Sequence, residues 1–95
     1  MNHDCCVVLN TCPDANSAEK IARTLIERKL AACVNILPGL RSIYTWKGAY
    51  ESAEEQLLII KTTTAAYSTL EQAILELHPY ELPEIIAVPL VAGLP

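Results

Sequence analysis

Two long extended segments either side of Lys47-Gly48-Ala49 constrain this chain more than any other feature. Ala31 to Lys47 reads as one strand, kinked or bulged at Pro38-Gly39; Tyr50 to Thr62 returns as another, ending in Leu57-Leu58-Ile59-Ile60. Each spans about 13–17 residues, or roughly 45–55 Å at strand rise. A domain of this size is only about 30–35 Å across, and its helices would be about 20 Å long. The hairpin must therefore overhang its helical layer. The overhang carries Ile43, Tyr44, Trp46 and Tyr50, apolar groups that one chain cannot bury, so a second subunit is the economical cover.

The remaining elements complete a β-α-β-β-α-β order. Cys5 to Thr11 is a short, β-branched apolar run that reads as a strand buried on both faces. Ala18, Ile21, Ala22, Leu25, Ile26 and Leu30 then recur at helical spacing behind a cap at Asp14 or Asn16, with Glu19 completing a capping box for Asn16. Leu70, Ala73, Ile74 and Leu77 mark a second helix from about Thr64 to Leu77, stopped by His78-Pro79. Ile85 to Val91 is the last strand. Proline removes a ladder donor, and Pro38 and Pro89 fall in strands two and four, so these are the edges and strands one and three the centre. Right-handed crossovers then give a ferredoxin-like α+β sandwich: a four-stranded antiparallel sheet with both helices on one face.

The 95 residues make a single domain, 1–95, and 52% hydrophobic content excludes a disordered one. A net charge of −4 with scattered Lys and Arg argues against nucleic acid. No run is long enough to span a membrane. Met1-Asn2-His3-Asp4 lacks the basic start and apolar stretch of a secretion signal, which points to a cytoplasmic protein. Cys5, Cys6, Cys12 and Cys33 form no Cys-x-x-Cys pair and are expected to be reduced, with Cys5, Cys6 and Cys33 packed as small hydrophobes.

His78-Pro79-Tyr80-Glu81-Leu82-Pro83-Glu84 concentrates an imidazole, a phenol and two carboxylates in a loop stiffened by two prolines. Two readings stand side by side: His78 as a site residue, or His78 as a helix terminator acting on the dipole. Thiols, imidazole and carboxylates together suit copper or zinc, although no paired-ligand spacing is present, so a site would be assembled from distant segments or different subunits. Cys12, at the end of the first strand, is the thiol expected to be accessible. With His3 in a frayed terminus, no phosphate loop and no nucleophile elbow, a non-enzymatic protein is expected.

Thr11-Cys12-Pro13-Asp14, Lys29-Leu30-Ala31-Ala32-Cys33-Val34-Asn35, Ser42-Ile43-Tyr44-Thr45-Trp46-Lys47-Gly48, Ile60-Lys61-Thr62 and His78-Pro79-Tyr80-Glu81 with Pro83-Glu84-Ile85 occur in this order. Over almost the whole chain they resemble the CutA divalent-cation-tolerance proteins. The resemblance implies a ferredoxin-like fold and a homotrimer whose long hairpins join sheets between subunits. It also implies binding of Cu²⁺ or another divalent cation, with His78 in the family's His-Pro-Tyr motif as the leading metal contact and Cys12 beside it. Some members carry Cys where this chain has Asn10, and a second His where it has Leu77; the family's Tyr-Leu-x-Trp tail beyond Gly93 is absent before Pro95. Fold and assembly resemble the PII signalling trimers too. That implies a rival role, sensing a small anionic ligand at an intersubunit cleft lined by Tyr44, Trp46, Lys61, His78, Tyr80 and Glu81, with Lys61 pairing the anion.

Overall fold

A computed structural model describes residues 4–94 and shows β1 (Cys5–Cys12), α1 (Ala15–Glu27), β2 (Cys33–Trp46), β3 (Ala49–Thr63), α2 (Tyr67–Leu77) and β4 (Ile85–Pro89). The terminus that carries His3, expected to be frayed, lies outside the described residues. All pairings are antiparallel in the order β2-β3-β1-β4, so the proline-free strands are central and the proline-bearing ones are edges.

Helix α1 is capped by Asp14, whose Oδ1 accepts from the Ser17 N–H at 2.7 Å; Asn16 lies inside the first turn. The helix ends at Glu27, three residues short of the expected Leu30. There Lys29 takes φ 59° and the N–H groups of Lys29 and Leu30 close back on Ile26 and Leu25. That is a Schellman stop with lysine in the left-handed position usually given to glycine.

Ile21, Leu25, Leu70 and Ile74 from the helices meet Cys6, Val8, Cys12, Leu58 and Ile60 from the sheet in one core. Strand β1 alternates: Cys6, Val8, Asn10 and Cys12 are buried, and Cys5, Val7, Leu9 and Thr11 are half-buried. The expectation of burial on both faces is therefore corrected for the protomer, because the helices cover only one side of the sheet. Cys6 is buried as a packing thiol, Cys5 and Cys33 are only half-buried, and all four cysteines are free thiols.

The hairpin closes at Lys47-Gly48, with φ 52° and 80°, a two-residue turn whose twist matches the flanking strands. The register slips between Leu37 and Leu40, which places the bulge at Pro38-Gly39 where the sequence located it. The long axis is 44 Å against 26 and 22 Å across. At its far end Ile43, Trp46 and Tyr50 are 72%, 62% and 87% exposed.

Candidate functional site

Pro79 drives His78 out of the helical region to ψ 136°, ending α2, while the His78 N–H still reaches Ile74 O at 2.8 Å. The imidazole then turns inward and is buried. Its Nε2 lies 2.7 Å from Thr11 O, and its Nδ1 accepts from the Tyr80 N–H at 3.0 Å. A carbonyl can only accept and a backbone N–H can only donate, so this pair of partners selects the neutral Nε2–H tautomer.

Two further side chains fasten the loop. The Tyr80 hydroxyl donates to Glu55 Oε2 at 2.8 Å, and Ser42 Oγ donates to Glu55 Oε1 at 2.5 Å, so this buried carboxylate carries two donors. Asn10, also buried, donates through Nδ2 to Glu84 O at 2.8 Å and accepts from Cys12 Sγ at 3.4 Å through Oδ1. The Tyr80 phenol is pushed up to about 12, by burial first and then by its bond to Glu55 and the nearby carboxylate charge.

Cys12 is fully buried, and its thiol is pushed up to about 12 by desolvation, then by Asp14 and Glu55. The expectation that Cys12 is the accessible thiol is corrected: β1 runs one residue further than expected, and its alternation carries Cys12 beneath the helices.

The loop and the hairpin bound an open cleft of about 1170 Å³. Tyr44, Trp46, Tyr80 and Glu81, expected from the sequence to meet in a cleft between subunits, line this cleft of one protomer, along with Glu84 of the same loop and with Glu51 and Glu55, which sequence reasoning missed. Lys61 is not among them; it faces a separate hollow of about 530 Å³ with Cys5, Lys29 and Leu90. Glu51, Ala53 and Glu55 alternate along β3, and Tyr44 pairs with Glu51 across the hairpin. Two acids four residues apart, hence on one face of a strand, with the first opposite Tyr44, were the available signal. No Lys or Arg lines this cleft among the described residues.

The sequence profile of the family described as CutA1 divalent ion tolerance protein matches residues 6–95. The chain belongs to this family. It is similar to the divalent-cation tolerance protein CutA of Thermus thermophilus, 51% identical over 87 residues that cover 92% of this chain and 84% of that protein. It is 49% identical to a CutA homolog of Xenopus laevis, covering 90% of this chain but 56% of the relative, so it spans about half of that longer protein. Among solved structures, the Thermus thermophilus protein superposes with a TM-score of 0.91 at 49% identity, covering 94% of this chain and 86% of the other. CutA from Xylella fastidiosa gives 0.93 at 45%, covering 96% and 88%. The family and the Thermus thermophilus relative are described by tolerance to divalent ions. Relatives are described as periplasmic in Archaeoglobus fulgidus and chloroplastic in Arabidopsis thaliana, so kinship alone does not give the compartment. No helix among the described residues is long and apolar enough to cross a membrane.

The donor set expected for a metal fits poorly within one protomer. Both ring nitrogens of His78 are engaged, and Cys12 is a buried, protonated thiol at neutral pH. Among the described residues no group of three His, Cys, Asp or Glu side chains is close enough to hold an ion.

Proposed function

We propose that this chain acts as a cytoplasmic homotrimer in divalent-cation tolerance, binding Cu²⁺ or a related ion with low to moderate affinity through ligands drawn from more than one protomer. The observation that carries it is the uncovered apolar hairpin, with Trp46 and Tyr50 in solvent on an isolated chain that belongs to a divalent-ion tolerance family. His78 remains the first ligand to test. It can offer Nδ1 only by releasing the Tyr80 N–H, a cost that fits modest affinity. Cys12 would in addition have to lose its proton in a buried site, which places it second.

The rival role, sensing an anion, finds little support in the cleft that four of its expected residues do form. The lining is acidic, and Lys61, the expected counter-charge, sits elsewhere on the protomer. Copper calorimetry on wild-type and His78→Ala protein, with sedimentation to fix the number of chains, tests the proposal. Weaker Cu²⁺ binding by the variant at unchanged assembly is expected; equal, negligible binding by both would refute it.

A further inference from the structure

His78 is the one buried residue of the 78–84 loop; Pro83 is half-buried and the rest are exposed. Leu82 stands 90% in solvent, and among the described residues 79–84 make no backbone-to-backbone hydrogen bond. Side chains hold the loop instead, at three points: the His78 ring on Thr11 O, the Tyr80 hydroxyl on Glu55, and Asn10 on Glu84 O. The third lies beside the first pair of the β1–β4 ladder, Asn10 with Ile85, and stays with the sheet. Two side-chain bonds therefore separate the closed loop from an open one. Apart from the imidazole, opening gives up little burial, and a segment with few buried contacts opens before the core does. Pro79 and Pro83 stiffen the segment, so it moves as one piece.

We infer that the 78–84 loop opens as a unit while the sheet and helices stay folded, and that the open form is the one that presents the His78 ring. In the closed loop Thr11 O and the Tyr80 N–H engage both ring nitrogens and fix one tautomer. Once the ring leaves Thr11 O that tautomer is no longer fixed, and a ring nitrogen is free to act as a ligand or a nucleophile. The groups left behind are served without refolding. Thr11 is half-buried, so its carbonyl turns to water, and Glu55 keeps the bond from Ser42 Oγ. The population of the open form scales the apparent affinity of anything that binds the ring. That consequence rests on His78 being the ligand proposed above; the opening itself does not, because the bonds that set it lie within the protomer.

The test is timed modification of the metal-free, assembled protein by diethyl pyrocarbonate, which acylates an imidazole nitrogen with a free lone pair. Mass spectrometry reads the product at His78 apart from His3, the chain's only other histidine. His78 in wild type is expected to react at least about tenfold more slowly than in a free peptide of residues 74–84. Its rate should stay flat as urea rises to about half the unfolding midpoint, because local opening exposes little surface. Tyr80→Phe removes the Glu55 bond but leaves the ring's own partners, and should raise the rate roughly tenfold. A rate as fast as the peptide's, a rate climbing with urea from the outset, no modification short of unfolding, or an unchanged rate in Tyr80→Phe would each overturn the inference. Sedimentation checks that the variant assembles; should it not, the urea series on wild type decides alone. Because no ion is present, this result and the copper titration succeed or fail separately.

Discussion

At residue scale, individual side chains depart from the simplest pattern where the backbone or the loop demands it. Lys29 occupies a left-handed position at φ 59° with its amide in the helix stop. A side chain there costs roughly 1–2 kcal/mol, part of which glycine returns as extra freedom in the unfolded chain. Lys29→Gly is therefore expected to stabilise the protein by up to about 1 kcal/mol in urea unfolding at fixed protein concentration; destabilisation would contradict the Schellman assignment. Cys12 carries a second expectation. Its folded-state thiol, near 12, lies above the unfolded value of 9.0, so its contribution to stability is complete below pH 9 and is lost as pH climbs towards 12. Cys12→Ala should flatten the fall in stability between pH 9 and 11, and Cys12 should resist alkylation at pH 8 while half-buried Cys5 and Cys33 react. Early labelling of Cys12, read by mass spectrometry, would contradict its burial. The sequence showed the alternation that buries Cys12, since Cys6, Val8 and Asn10 are two apart, but not that β1 continues through Cys12 to the brink of Pro13.

At element scale, the segment from His78 to Glu84 is a strap fastened by His78 to β1, by Tyr80 to β3 and by Asn10 from below. His78→Ala leaves Thr11 O and the Tyr80 N–H without their partner, and a loss of about 1–3 kcal/mol in chemical denaturation is expected. His78→Gln, which retains a donor, should recover part of it; a neutral His78→Ala would show that the imidazole is not structural. Strand order, helix faces, bulge and turn were all readable because each rests on local chemistry: proline's missing donor, helical spacing, glycine beside the turn. The strap's fastenings were not, because Asn10 and Glu84 lie 74 positions apart and no local pattern pairs them. His78 ends α2 through its backbone, as a terminator, and anchors β1 through its ring, while its reading as a site residue rests on the copper titration. The hairpin tip yields an optical prediction. Trp46, the sole tryptophan, is 62% exposed on one protomer. If sister chains cover it, native emission is blue-shifted relative to unfolded protein, whereas a matching maximum would leave the tip bare.

At the scale of the whole molecule, one chain folds around its helix-side core but leaves the other sheet face half-covered and a long hairpin in water. Leu37, Ile43, Trp46, Tyr50, Ile86 and Val88 are all exposed, more apolar surface than a small soluble monomer ordinarily shows. The edges formed by β2 and β4 are unpaired in the protomer as well. Burying these surfaces between copies of the chain would relieve both problems together, which is why assembly is the central claim and ligand chemistry depends on it. Sedimentation equilibrium tests that claim most directly. Three times the 10.4 kDa chain mass, held on dilution through the micromolar range, is the result expected; a stable single-chain mass across that range would contradict it.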